Sequence, residues 1–181
     1  SSCSLAQELI QSIITFINYS QNKHMKPHIG IHDNHLAESA HILSKLLADE
    51  YLLYTKTRNA HWNIEGADFY NKHLFFEAQY NELDELIDSL AERIRTLGHY
   101  APASLNQFLA LTQLTEQKRS GNDSAAYIKE LLMDHESIIV SLRENIDHFA
   151  IALKDIGTSD YATGLLETHE KMAWMLRAHL S

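Results

Sequence analysis

Residues 69–97 constrain the fold most, because they form one long helical pattern with two different faces. At about 100° per residue, one polar face holds His73, Glu77, Asp88 and Glu92, at roughly 0°, 40°, 60° and 100°. The apolar residues occupy another sector, at roughly 220–320°; they are Phe69, Phe76, Leu83, Leu86, Ile87, Leu90, Ile94 and Leu97. The polar face therefore points away from the helix's own packing partners.

The residues of this polar face cannot all bind one ion within one chain. Glu77 and Asp88 lie about 16 Å apart along the axis, at about 1.5 Å per residue. A second copy of the chain, antiparallel across a two-fold axis, would bring His73 and Glu77 opposite the other copy's Asp88 and Glu92. The spacing predicts a metal site shared between subunits, with a solvated acidic face as the alternative for any single acid.

Three further long helices are expected around this one. Asp33 or Asn34 can cap a first helix that runs to about Trp62, and Asp68 can cap the helix that Gly98 ends. A long connection, 99–122, follows with a short helical piece near 105–111.

The remaining residues predict two more helices. The third starts after Asn122 or Asp123 and continues to Asp155, where Gly157 would stop it, and Thr158 or Ser159 would cap the fourth, which runs from 161 to about 180. The fold class is therefore all-α. It is a ferritin-like four-helix bundle with a long crossover between helices 2 and 3 that carries a short helix.

The N-terminal residues 1–25 are predicted to be an extension of a ferritin-like domain that spans 26–181. Their apolar residues Leu5, Leu9, Ile10, Ile13, Phe16 and Ile17 share one helical side, as in an added amphipathic helix. With one cysteine and no basic region before this segment, we expect a reducing, cytoplasmic location and no membrane span.

Charge and histidine content favour cations over nucleic acid as partners. The formal net charge is −9, which opposes nonspecific binding to the DNA backbone. The twelve histidines favour a metal-binding function, but their number does not identify a site. His61 ends the first helix, so a tight hairpin would bring it near His73. Imidazole and carboxylate together suit Fe²⁺, Zn²⁺ or Mn²⁺, and this donor set alone does not select iron.

Residues 46–98 resemble the core of the Dps family, the dodecameric mini-ferritins. The resemblance is specific in AHWN at 60–63, in the interval between His61 and His73, and in DSLAER at 88–93, and it extends more loosely from about Lys26 to the C-terminus. It implies that His61, His73 and Glu77 come from one subunit. Asp88 and Glu92 would come from its two-fold partner.

The resemblance also implies a function. The family forms a hollow dodecamer that acts as a ferroxidase: it oxidises Fe²⁺, preferentially with hydrogen peroxide, and keeps ferric mineral inside, which relieves oxidative stress. One iron would be held tightly and a second weakly. Two alternatives remain open, a DNA-protecting nucleoid protein of the same fold and a non-catalytic shell whose site holds zinc.

Two features depart from the family pattern. Many members have Asp where Glu77 stands, and the longer side chain still reaches a metal. Many also have lysine-rich tails that bind DNA, whereas Lys23 and Lys26 alone precede the first core helix here. DNA binding is therefore not expected.

Several other residues allow both a functional and a plain interpretation. Glu38 and His41 have the Glu-x-x-His spacing of classical ferritin sites but no second such pair. Trp62 could simply pack, or could intercept radical equivalents as the resemblance implies. Asp84 and Glu85 could nucleate ferric hydroxide or be solvated surface residues. Asp123, Glu130 and Asp134 resemble the acids that line the three-fold pores of such shells, with ordinary surface charge as the alternative. His24, His28, His32 and His35 could form a secondary metal site or be mobile surface histidines. Core filling is expected for Met133, Met172, Met175 and Trp174.

Overall fold

The structure, a computed structural model, describes residues 26–116 and 121–180. It contains α1 (Asp33–Asn63), α2 (Phe69–Thr96), α3 (Leu105–Leu111), α4 (Ser124–Asp147) and α5 (Ile156–Ala178), with a π-helical turn at His148–Ala152. The described part has no strand, only an isolated bridge between Glu65 and Asp123. The predicted all-helical order is confirmed. The predicted N-terminal helix lies outside the described residues.

The four long helices form two antiparallel pairs, α1 with α2 and α4 with α5, that share one apolar core. Burial of leucine and aromatic side chains from all four helices supplies the main stabilisation. The largest fully buried side chains are Tyr127, Phe76, Phe149, Leu43, Leu46, Leu47, Leu53, Leu83, Leu90, Ile94, Leu97 and Ile128. None of the helices in the described ranges is both long and apolar enough to span a membrane.

Two buried charged residues of α1 hold the crossover in place. Asp49 accepts hydrogen bonds from Thr112 Oγ1 at 2.7 Å and from the backbone N of residue 113 at 2.6 Å. Lys56 Nζ donates to the carbonyl of Thr115 at 3.0 Å and also pairs with two acids of α4, Glu130 Oε1 at 2.9 Å and Asp134 Oδ2 at 2.5 Å. Burial raises the pKa of Asp134, although its bond to Lys56 acts in the opposite direction. These contacts attach the connection to α1 at residues 112–115.

The junction between α4 and α5 differs from the prediction. The third long helix ends at Asp147 rather than Asp155, and a π-helical turn follows it. Asp155, not Thr158 or Ser159, is the N-cap of α5, because its Oδ1 accepts from Thr158 N at 3.0 Å. Gly157 lies inside α5 and does not stop a helix. Its missing side chain instead leaves room for Arg93, whose Nη2 would lie 3.1 Å from a Cβ at this position.

The caps of the first two long helices are also partly corrected. His32 is the N-cap of α1 and makes no side-chain capping bond, while Asp33 lies inside the helix and pairs with Lys26 at 2.6 Å. Asp68 has the predicted N-cap position of α2, but its carboxylate accepts from Ser124 Oγ at 2.9 Å. Gly98 follows α2 with φ +84°, as expected for a glycine just past a helix end.

A single file of hydrogen-bonded ionisable groups crosses the core. Glu50 Oε1 lies 2.7 Å from His169 Nε2, and His169 Nδ1 lies 2.9 Å from His135 Nδ1. All three residues are 0% exposed. Glu50 Oε2 and His135 Nε2, the two ends of the file, have no hydrogen-bond partner among the described residues. Burial, and to a smaller extent His169, hold the pKa of His135 well below its ordinary value of 6.5.

Replacing Gly98 and Gly164 by alanine should have opposite effects on stability. Alanine at 98 meets a left-handed backbone and Pro27 Cδ at 2.6 Å, so we expect a loss of at least about 1–2 kcal/mol. Alanine at 164, in an open position within α5, should add about 0.5–1 kcal/mol. Thermal unfolding of both variants tests this, and shifts of the same sign would contradict it.

The low pKa of His135 predicts a loss of stability in acid. In the unfolded chain, His135 takes up a proton near pH 6.5, whereas in the folded protein it stays neutral. Unfolding therefore becomes easier as the pH falls below that value. The slope for one proton is about 1.4 kcal/mol per pH unit. Thermal midpoints between pH 7.5 and 5.5 should fall less steeply for His135→Leu than for the parent. Asp134, with its raised pKa, acts in the opposite sense in both proteins. Equal slopes would refute the assignment to His135.

Candidate metal centre

The short turn between α1 and α2 brings His61 and His73 together, as predicted. Their rings stack with centroids 3.8 Å apart and an interplanar angle of 17°. His61 Nδ1 lies 2.8 Å from the carbonyl oxygen of His73, and His73 Nδ1 lies 2.8 Å from the carbonyl oxygen of His61. Each histidine thus fixes the ring of the other through the backbone.

These reciprocal bonds determine the tautomer of both neutral rings. A carbonyl oxygen can only accept, so each Nδ1 carries the hydrogen and each Nε2 keeps its lone pair. A metal-binding histidine is ordinarily oriented in this way, with its other ring nitrogen donating to a carbonyl or carboxylate. His61 is 8% exposed and His73 half-buried, so the pair is preorganised rather than mobile.

Glu77 lies one turn after His73 on the same face of α2 and is half-buried. Tyr80 OH lies 3.5 Å from Glu77 Oε1, and the Tyr80 ring meets the His61 ring edge-on at 5.1 Å. Arg58 lies over the Tyr80 ring at 4.6 Å. Tyr80 therefore lies between three groups: its hydroxyl faces the Glu77 carboxylate, and its ring contacts His61 and Arg58.

Sequence reasoning missed Tyr80 and Arg58. Arg58 also lies 4.9 Å from the ring of Trp62, and its Nη1 donates to Tyr54 OH at 2.8 Å. Trp62 itself is 63% exposed, so it is not a core packing residue. Helical spacing could have found both, since each lies three residues from a predicted ligand, Arg58 before His61 and Tyr80 after Glu77.

Asp88 and Glu92 lie on the same helix, beyond the reach of the histidine pair. Both are exposed on the C-terminal half of α2. Within residues 26–116 and 121–180, no group of three His, Cys, Asp or Glu side chains is placed to hold a metal ion. One chain therefore brings His61 and His73 together, but Glu77, Asp88 and Glu92 do not join them in a group that could hold a metal. That the two sets meet across a two-fold axis stays a prediction.

The secondary candidates have other contacts. Glu38 pairs with His148 Nε2 at 2.8 Å rather than with His41. Glu130 and Asp134 are buried against Lys56, and Asp123 Oδ1 caps α4 by accepting from Ala126 N at 3.0 Å. Asp84, Glu85, His28 and His32 are exposed, His35 is half-buried, and His24 lies outside the described residues. Met172 is buried as expected, but Met133, Met175 and Trp174 are exposed in the single chain.

The chain matches a known domain family and several known proteins. The model of the ferritin-like domain matches residues 40–181. An uncharacterized low temperature-induced protein of Nostoc is 40% identical over 84% of this chain and 85% of its own length. The DNA protection during starvation protein of Helicobacter pylori is 36% identical over 77% of this chain and 96% of its own length.

Solved structures of similar proteins give a consistent result. The Dps protein of Vibrio cholerae O1, described as a member of a broad superfamily of ferritin-like diiron-carboxylate proteins, superposes with a TM-score of 0.81. It is 31% identical and covers 88% of this chain and 99% of its own. DpsC from Streptomyces coelicolor gives a TM-score of 0.82 at 28% identity, over 87% of this chain and 91% of its own.

These matches define the class of protein. The chain belongs to the ferritin-like family. Within that family it belongs to the Dps proteins, as the resemblance of residues 46–98 indicated.

Proposed function

We propose that the chain is the subunit of an iron-oxidising and iron-storing shell whose oxidation site is shared by two subunits. The observation that carries this proposal is the histidine pair. Both Nδ1 atoms are occupied by backbone carbonyls, so two preorganised Nε2 lone pairs remain. Glu77 follows His73 by one helical turn. The members of the family compared above include a ferritin-like diiron-carboxylate protein, which supports iron as the ion.

One subunit supplies His61, His73 and Glu77, and the acids complete the site from its neighbour. Asp88 and Glu92 are about 16 Å and more from Glu77 along a continuous helix, so they cannot serve the same ion in one chain. An antiparallel partner helix would place them opposite the histidines. Imidazole nitrogens and carboxylate oxygens suit Fe²⁺, and zinc competes for the same donors.

The stacking of the two imidazoles favours two iron ions rather than one. Nitrogen lone pairs lie in the ring plane, and the planes of His61 and His73 are almost parallel with centroids 3.8 Å apart. An ion in the plane of one ring therefore lies well outside the plane of the other. Each histidine can therefore serve its own ion, as the ligands of two-metal sites do.

Two Fe²⁺ ions at neighbouring positions match the electron demand of hydrogen peroxide. Each ion gives up one electron, the peroxide O–O bond breaks, and the two oxygens leave as two water molecules after taking up two protons from the solvent. Because both electrons arrive together, no hydroxyl radical is released. The residues of this chain bind and orient the substrate ions, and the resulting Fe³⁺ hydrolyses to a ferric mineral.

Storage follows from assembly into a closed shell, which we propose to be a dodecamer in the cytoplasm. The net charge of −9 attracts Fe²⁺ electrostatically. The same charge opposes direct binding to DNA phosphates. Several relatives are named for DNA protection during starvation; we propose that this chain gives such protection by consuming iron and peroxide, rather than by coating DNA.

Mixing two inactive variants tests the shared site. One variant lacks the histidines (His61→Ala with His73→Ala) and the other lacks the acids (Asp88→Asn with Glu92→Gln). Co-assembled at equal amounts, half of the two-fold pairs are mixed, and each mixed pair has one complete site out of two. Peroxide-driven Fe²⁺ oxidation, followed anaerobically by ferric absorbance, should recover to about a quarter of the parental rate.

The controls are the two variants assembled separately, both of which should oxidise Fe²⁺ no faster than buffer does. Mixed particles that mass analysis shows to contain both chains, yet that stay inactive, would rule out sharing. Full activity of either variant alone would rule out its residues as ligands.

A further inference from the structure

The two acids of the proposed site have little support around them in one chain. Asp88 and Glu92 are exposed, so their positions are determined by the position of α2 itself. Metal and catalytic groups must be held to within about 0.5 Å of the working geometry. Whatever fixes the rotation and tilt of α2 at this level therefore decides how well the acids meet the histidines of a neighbour.

Arg93 ties this part of α2 to the start of α5. Its Nε and Nη2 donate to Thr158 Oγ1 at 3.1 and 2.8 Å, and Nη2 also lies 3.3 Å from Asp155 Oδ1. The Arg93 side chain is 25% exposed, whereas that of Asp155 is 1% exposed. A second link lies one turn earlier, where Tyr161 OH is 3.2 Å from Ser89 Oγ.

The acceptors of Arg93 are themselves rigid. Asp155 caps α5, accepting from Thr158 N at 3.0 Å and from Thr158 Oγ1 at 2.6 Å. Gly157 leaves the space that the guanidinium fills, since a Cβ there would stand 3.1 Å from Arg93 Nη2. Charge-assisted hydrogen bonds to such partly desolvated acceptors are strong and directional.

Arg93 lies on a different side of α2 from the two acids. At about 100° per residue, it lies about 100° around α2 from Glu92 and about 140° from Asp88. Its anchor can therefore set the direction of the acid face without entering the metal site.

We propose that Arg93, held by Asp155 and Thr158, is a positioning residue that fixes the rotation of α2 and so places Asp88 and Glu92 for metal binding in the shared site. This inference rests on the proposed function. It assigns Arg93 no contact with the metal and no part in electron transfer.

The test is a Co²⁺ titration of the assembled protein without oxidant, followed by visible absorption. Arg93→Met should weaken Co²⁺ binding about tenfold or more, the range typical when support of a metal ligand is lost, and should change the cobalt spectrum. Arg93→Lys keeps the charge but not the fork of donors and should bind at an intermediate level. Gly157→Ala should resemble a mild form of Arg93→Met.

Arg95→Met is the matched control. It makes the same chemical change two residues further along α2, where Arg95 Nη1 donates to the carbonyl of His99 at 3.0 Å in an exposed position. Gly98→Ala is a control for stability, because it should destabilise the end of α2 without touching the anchor. Both should bind Co²⁺ as the parent does, in particles of unchanged size.

The outcomes separate the two proposals. If Asp88→Asn loses Co²⁺ binding while Arg93→Met keeps the parental affinity and spectrum, the positioning role is wrong and the shared site stands. If Arg93→Met weakens binding no more than Gly98→Ala does, its role is only structural and the inference is overturned. If Asp88→Asn binds Co²⁺ as the parent does, the shared site fails and the inference fails with it.

Discussion

The rigidity of α2 is the constraint on which the site depends. A continuous helix holds Glu77 and Asp88 about 16 Å apart, and no side-chain rotation closes that gap. The histidine half is completed within the chain, through the α1–α2 turn, whereas the acid half faces solvent. In the shared site proposed above, a subunit built this way carries two half-sites rather than one site. Assembly and metal binding would then be linked, because each half gains its partner only in the pair.

The residues that face the proposed site were predictable because helical periodicity determines faces. One side of α2 holds His73, Glu77, Asp88 and Glu92, whatever the tertiary packing. The pairing of His61 with His73 required only a tight turn between α1 and α2. The reciprocal Nδ1 bonds were not predictable. They depend on where the backbone of residue 61 runs relative to residue 73, and no spacing encodes that distance.

The prediction failed where two local signals competed. A glycine at position 157 predicts the end of a helix, yet the side-chain cap made by Asp155 and the space needed by Arg93 place this glycine inside α5.

Helical periodicity predicts which side of a helix is apolar, but it does not predict which element packs against that side. Met133, Met175 and Trp174 lie on apolar stretches that the single chain leaves exposed. The sequence alone cannot separate a core face from a face that meets another subunit.

The interior of the bundle explains why metal chemistry is expected at an interface instead. Ferritin-like proteins with a site in the bundle core converge carboxylates and histidines on one point. Here Glu50, His169 and His135 lie in single file, and both ring nitrogens of His169 are used in the file. The atoms without a partner among the described residues, Glu50 Oε2 and His135 Nε2, lie at opposite ends of the file and do not converge on one point. At the α1–α2 turn, by contrast, the backbone carbonyls use both Nδ1 atoms of the histidine pair and leave both Nε2 atoms available, which is why the proposed iron site lies there.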